Sequence, residues 1–393
     1  MAHHPTDHTT ITNALEHLIA NGLDGMANAI EILLNEAMKL ERSQYLQAGP
    51  YERIDGRQGY ANGFKPKRMK TRVGELEFKV PKTREQPEGV APFYPQSLER
   101  GLRSERALML AVAEMYVQGV STRKVTKVVS EMCGLEISSQ QVSRAASLLD
   151  EELESWRTRE LGEHPFMILD ARYEKVRHGG HVRSVAVLCA VAVNADGKRS
   201  VIGVSTSLSE AEVHWREFLQ SLLARGLVGT RLITSDDHAG LKAALRAVFP
   251  GVPWQRCQCH LQRNATAYVP RADMRTGVAK DIRAIFNAPN LHEAERLLAQ
   301  AVKTYAKTAP RLSEWMESNV PEGLTVFAIP DRQQRRLRTS NVCERLNKEL
   351  KRRTRVATLF PNEASLLRLV SAVLVEVSEE WETGRTYLNM DPA

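Results

Sequence analysis

Apolar residues recur at spacings of three and four over residues 11–47, at Leu15, Leu18 and Ile19 and again at Ile30, Leu33 and Leu34. This spacing predicts amphipathic helix, interrupted near Gly22 and Gly25. The apolar stripe would bury either a dimer interface or a contact with a neighbouring domain. A Gly-rich, basic stretch follows, in which residues 70–81 alternate around Val73, Gly74 and Glu75, as in a short β-hairpin. Residues 104–150 return to helical spacing. Two helices are expected there, joined by a turn at Cys133, Gly134 and Leu135, with Ser138 and Gln141 spaced as a capping box. That is the shape of a helix-turn-helix. Val142, Ala146 and Leu149 form the inward stripe, which leaves Gln140, Ser143 and Arg144 to face base edges.

From residue 166 the pattern becomes that of strands. An apolar run over 166–169 leads into Asp170, and a second covers 182–193. A tight turn at Asn194, Ala195, Asp196 and Gly197 and a third strand over 199–206 follow. A helix is expected at about 209–225, and a fourth strand over 231–235 ends at Asp236. Another helix (238–248), a short strand (252–255), a mainly helical stretch (261–330) and a basic helix (341–355) complete the reading. Three meandering strands, a helix and a further strand are the order of a ribonuclease-H-like α/β core, with residues 261–330 as a helical insertion. The expected divisions are a helical region (1–50), a basic hairpin segment (51–103), a helix-turn-helix (104–160), the catalytic core (161–260 and 331–393) and the insertion.

The distribution of charge adds a partner to this outline. The chain has 393 residues and a formal net charge of +7. Residues 51–84 hold ten Lys/Arg against four Asp/Glu, and residues 331–355 ten against three. Two concentrated basic stretches on an otherwise slightly acidic chain fit a footprint for phosphate backbones. Candidate DNA contacts are Lys65, Lys67, Arg68, Lys70 and Arg72 in the hairpin, with Tyr60 and Phe64 available for stacking. In the basic helix the candidates are Arg345, Lys348, Lys351, Arg352 and Arg353. Five scattered cysteines argue against a disulfide framework. The longest apolar stretch, about residues 185–193, is too short to span a membrane. The N-terminus carries no apolar signal region, and His3, His4 and His8 read as a tail, so a cytoplasmic, nucleoid-associated protein is expected.

Phosphoryl transfer with two metal ions needs carboxylates that converge on cations about 4 Å apart. Magnesium takes oxygen ligands and keeps several waters, so two or three acids suffice, with manganese as a substitute. Asp170 and Asp236 each stand where an apolar strand is expected to end, and Glu344 sits among the cations of the basic helix. Asp237 competes with Asp236, although Asp236 directly ends the strand. Any one of these acids alone reads equally well as a cap or a surface charge.

Four stretches, FMILDARYEKVR, LITSDDHAGL, WQRCQCHLQRN and TSNVCERLNKELKRRTRVATLFP, resemble the Mutator-type bacterial transposases, the insertion sequence 256 family. The stretches LLNEAMKLERSQYL, DGRQGYANGF and FYPQSLERGLRSERAL resemble the same family, so the likeness covers most of residues 30–365. The resemblance implies a catalytic triad at Asp170, Asp236 and Glu344, which would hold the metal. It also implies a Cys-x-x-His signature at Cys257 and His260, read as support for the active site rather than as a zinc site. His238 is a further supporting candidate, and Trp215 matches a position common in the family, either core or a stacking platform for a displaced base. The implied partners are the terminal inverted repeats and target DNA, as duplexes, and a second copy of the chain in a homodimer or higher assembly. A DNA-binding protein that has lost catalysis, and a nuclease that cuts without joining, are the rival readings.

Overall fold

The computed structural model describes residues 8–85, 92–355 and 359–390. The expected tail with His3 and His4 lies outside the described residues. The chain divides into two compact units, one of residues 1–116 and 120–148, the other of residues 117–119 and 149–393.

In the first unit, α1 (His8–Asn21) and α2 (Met26–Leu46) are separated by a 3-10 turn over Gly22–Gly25, where the sequence interrupts its helical spacing. Met38 of α2 packs with Leu76, Phe78 and Val80. Leu15, Ile19 and Leu23 stay exposed among the described residues. The hairpin is longer than the alternation suggested: β1 (Tyr60–Thr71) pairs antiparallel with β2 (Gly74–Arg84). Then α3 (Arg106–Val117), α4 (Thr122–Cys133) and α5 (Ser139–Ala146) follow. Gly134 ends α4 in the left-handed conformation, and Ser138 and Gln141 form the expected capping box. Val142, Ala145 and Ala146 are buried, while Gln140, Ser143 and Arg144 are exposed. Leu149 departs from the expected inward stripe. It lies in a 3-10 turn after α5 and remains partly exposed.

The second unit begins with α6 (Asp150–Thr158) and is built on a five-stranded mixed sheet. Its strands are β3 (Phe166–His178), β4 (His181–Val193), β5 (Arg199–Ser207), β6 (Leu232–Ser235) and β7 (Trp254–Arg256), in the order β5-β4-β3-β6-β7. The first three are antiparallel; β6 and β7 run parallel to β3. On one face Met167, Leu169, Leu188 and Ile202 pack against Trp215 and Leu219 of α7 (Glu212–Ala224) and Leu241 of α8 (Ala239–Val248). Gly203 permits this, because a Cβ there would stand 2.7 Å from Leu222 and 3.1 Å from Phe218. The second face carries α14 (Asn341–Thr354) and α15 (Glu363–Thr383), and the Ser378 hydroxyl of α15 accepts from the Val201 amide at 3.0 Å. Helices α9 (Gln258–Ala265), α10 (Arg275–Phe286), α11 (Leu291–Tyr305) and α12 (Pro310–Asn319) surround a core of their own, with Leu261, Ile282, Leu298, Leu312 and Met316. The last connection runs through α13 (Asp331–Leu337). No helix of the described residues is long and apolar enough to cross a membrane.

Two expectations need correction. Asp170 does not end its strand, since β3 continues to His178 paired with β4. The alternation of Arg172, Glu174 and Val176 is that of a strand with one buried face. What ends near Asp170 is the parallel pairing with β6, which covers only Phe166, Met167 and Ile168. Trp215 is fully buried in the core beside Phe218, so it cannot stack on a displaced base. Trp215→Ala should therefore lower unfolding stability by about 3–5 kcal/mol, the usual cost of truncating a large core aromatic. Urea denaturation checks this; full stability combined with weakened DNA binding would restore the stacking role.

Candidate active site

Asp170, Asp236 and Glu344 come from three separate parts of the second unit; Asp236 and Glu344 face one imidazole, and Asp170 lies close enough to feel the charge of Asp236. Asp236 directly follows β6, where the last buried strand position hands over to a short turn into α8. His260, on the first turn of α9, turns Nδ1 to the Asp236 Oδ1 in an ion pair and presents Nε2 to the Glu344 carboxylate at 3.8 Å. The Asp236 contact, followed by the Cys257 thiol, pushes the His260 pKa up to about 10. The side chains of Asp236 and Glu344 keep 38% and 36% exposure, so a substrate can reach them.

Asp170 is more enclosed. Its Oδ2 accepts from Asn347 Nδ2 at 2.7 Å and its Oδ1 from the Ala171 amide at 2.9 Å. Burial, and then the charge of Asp236, push the Asp170 carboxyl up to about 7, against these hydrogen bonds. A pair of carboxylates pressed together in this way would be relieved by a shared divalent cation. Their hard oxygen donors fit Mg2+ or Mn2+, with Glu344 as the third carboxylate.

β3 also fixes where Glu344 can stand. Side chains at alternate positions of a strand share a face, and Asp170, Arg172 and Glu174 all reach α14. Arg172 donates to the Asn347 carbonyl at 2.6 Å, and the Thr354 hydroxyl donates to Glu174 at 3.0 Å. Asn347 is thus held through both its amide side chain and its carbonyl, three residues beyond Glu344 and on the same side of the helix. Sequence reasoning missed Asn347 because a polar residue on a basic helix reads as solvated. Its position three residues after the acid was the available signal.

Cys257 is fully buried just before α9. Its sulfur accepts from the Ser340 amide at 3.3 Å and the Ser340 hydroxyl at 3.2 Å, and so ties the start of α14 to the end of β7. Hydrogen bonds from Cys259, His260 and Ser340 hold its thiol well below the usual range. Ligand atoms of Asp236, Cys257 and His260 lie within 4.8 Å of one another, but Ser340 already engages the sulfur and the imidazole already engages both acids.

Asp237 points elsewhere. It pairs with Lys242 and with the buried Arg256, each at 3.1 Å, and both cations also bind Glu322. This network occupies Asp237 and leaves Asp236 as the acid facing the site. The His238 imidazole lies 3.9 Å from Glu210, and its backbone amide donates to the Asp236 carbonyl at 3.2 Å.

The basic helix is more selective than its composition suggests. Arg345, Lys348, Lys351 and Arg352 are exposed, although Arg352 pairs with Glu349 at 2.7 Å. Arg353 is only 4% exposed and binds Glu349 and Glu376, so it is a structural cation and not a phosphate contact. In the hairpin, Lys65 is exposed and Arg68 is exposed beside Glu77 at 3.4 Å. Lys67 donates to Tyr94 at 2.9 Å, Lys70 to the Glu136 carbonyl, and Arg72 pairs with Glu105.

Two outcomes follow from this geometry. Asn347→Ala removes a hydrogen bond that favours the charged carboxylate, so the Asp170 pKa in the metal-free protein should rise further above about 7. Carboxyl NMR titration checks it, and an unmoved pKa would remove Asn347 from the site. Asp237→Asn should cost about 1–3 kcal/mol by weakening the pairing of the buried Arg256, measured by chemical denaturation; no loss would mean the network does not hold Asp237 in place.

The model of the family described as "Transposase, Mutator family" matches residues 3–384. Among curated relatives, the transposase for insertion sequence element IS406 of Burkholderia multivorans is 57% identical over 97% of this chain and 98% of its own length. The transposase for element ISRM5 of Rhizobium meliloti is 40% identical over 98% and 96%. The transposase for element IS256 in transposon Tn4001 of Staphylococcus aureus is 36% identical over 94% of each. The chain belongs to the Mutator family of transposases.

Proposed function

We propose that this protein binds the terminal inverted repeats of its insertion sequence and carries out metal-dependent strand cleavage and strand transfer into target DNA. The observation that carries the reading is that His260 joins Asp236 to Glu344 while Asp170 lies close enough to Asp236 for the two charges to act on each other. The strand order, three antiparallel strands followed by two parallel ones, supports a ribonuclease-H-like core with helices α9 to α12 as an insertion. Bound Mg2+ or Mn2+ would activate water or a 3′-hydroxyl and stabilise charge on the attacking and leaving oxygens. Asp170, Asp236 and Glu344 are the residues that would hold it. Asn347 keeps the Asp170 carboxyl oriented, and His260 keeps the two more exposed acids together. Lys348 and Lys351, exposed on the helix of Glu344, are available to phosphates.

In the first unit, the exposed Gln140, Ser143 and Arg144 on α5 suit base readout, and the basic hairpin suits the backbone. Joining two element ends calls for at least two copies of the chain.

The test is cleavage and joining of a labelled terminal-repeat duplex in Mg2+ or Mn2+. Wild type should nick and join, while Asp170→Ala, Asp236→Ala and Glu344→Ala should each bind the duplex and lose at least about a thousandfold in rate, on the order of 4 kcal/mol of barrier. Full activity of any variant removes that acid from the triad. Binding without cleavage by wild type favours a DNA-binding protein, and cleavage without joining a nuclease.

A further inference from the structure

A cavity of about 410 Å³ in the second unit is lined by Arg199, Arg335, Arg336 and Arg345, together with Tyr387 and Asn341. Among the described residues, none of these four guanidinium groups forms an ion pair or a hydrogen bond. Arg335, Arg336 and Arg345 are exposed and Arg199 is half-buried, whereas other half-buried or buried arginines of the unit are matched by acids or carbonyls: Arg172 by Glu174, Arg256 by Asp237 and Glu322, Arg353 by Glu349 and Glu376, Arg225 by the Arg159 and Ile202 carbonyls. Four unmatched cations turned into one concavity repel one another. Burial lowers the Arg199 pKa from its usual value, the charges of Arg345 and Arg336 lower it further, and Tyr387 and Glu380 oppose this. Such a cluster is stabilised by an anion.

The cavity is also constructed rather than incidental. Arg199 stacks on Trp381 at 4.2 Å and on Tyr387 at 4.8 Å, and Arg336 stacks on the same tyrosine at 5.1 Å. Tyr387 is fixed in turn: its amide donates to the Gly197 carbonyl at 2.8 Å and its hydroxyl to the Arg336 carbonyl at 3.2 Å. Gly197, at φ +74°, permits the approach, since a Cβ there would meet the Leu388 carbonyl oxygen at 1.9 Å.

Its position identifies the anion. Asn341 and Arg345 bracket Glu344 on α14, and Asn341 Oδ1 lies 3.5 Å from the Cys259 sulfur, next to His260. The cavity therefore adjoins the acidic site along a single helical turn. We propose that this arginine cavity holds a backbone phosphate of the DNA strand whose neighbouring phosphate is presented to Asp170, Asp236 and Glu344. The inference rests on the transposase reading for the identity of the strand. The shared chemistry is a phosphate, and a free polyphosphate is the other source of it.

Binding of fluorescent terminal-repeat and scrambled duplexes is measured by anisotropy across a salt series, in EDTA so that cleavage plays no part. Arg336→Gln/Arg345→Gln is compared with Arg271→Gln/Arg296→Gln, which removes two surface arginines paired with Asp273 and Glu293. The cavity variant should bind both duplexes at least about tenfold more weakly. The slope of log affinity against log salt should be shallower by about 0.9 for each phosphate that is no longer neutralised. The control should match wild type. Arg336→Lys/Arg345→Lys, which keeps the charge, should recover part of the slope, and matching melting curves establish that every variant is folded. An unchanged slope in the folded cavity variant overturns the proposal. So does calorimetric binding of tripolyphosphate that the variant abolishes while its DNA affinity stays at the wild-type level. Because the readout needs no cleavage, failure of the catalytic reading would show separately, in the cleavage assay.

Discussion

Two carboxylates close enough to repel each other lie in the second unit of this protein. Asp170 is largely enclosed and Asp236 is close enough to help raise its pKa to about 7, a strain the fold bears through burial on either side. The strands that carry these acids are fixed by the apolar cluster of Met167, Leu169, Ile233 and Trp215. An enclosed carboxylate raised by a like-charged neighbour that solvent reaches is a candidate for a functional site.

The rest of the second unit supplies the third acid and fixes its position. Three alternate residues of β3 grip α14, two of them by a carboxylate and one by a guanidinium. Cys257 anchors the start of the same helix through Ser340. Glu344 lies between these two attachments, and His260 faces it from the side of Asp236. The Cys-x-x-His pair thus splits its work, the sulfur fastening a helix and the imidazole spanning two acids. Beside this, Arg256 and Lys242 draw Asp237 away, so two adjacent aspartates in the sequence have opposite duties.

Much of this was legible in the sequence because apolar runs report burial directly. The run before Asp236 stops at the acid, and the strand before it is indeed fully buried. The capping box at Ser138 and the helix break at Gly22 were readable for the same reason: short-range geometry demands those residue types. Features set by tertiary partners were not readable. Arg353 looks like its neighbours until Glu376, from another helix, neutralises it. Asn347 looks like a surface residue until β3 passes beneath it. Trp215 could serve either a core or a base until α7 is seen to turn it inward. Asp170 was expected at a strand end, but the alternation beyond it continues the strand on one buried face. The arginine cavity joins residues far apart in the chain, and no local pattern announces it.

The claim on which the account depends is that the three acids share a divalent cation. Crystals of the protein with terminal-repeat DNA, soaked in Mn2+, would locate the metal by its anomalous signal. The account predicts density at about 2.1 Å from carboxylate oxygens of both Asp170 and Asp236, with Glu344 completing the oxygen set. Density on Asp237, on the Cys257 sulfur, or nowhere near Asp170 would contradict it.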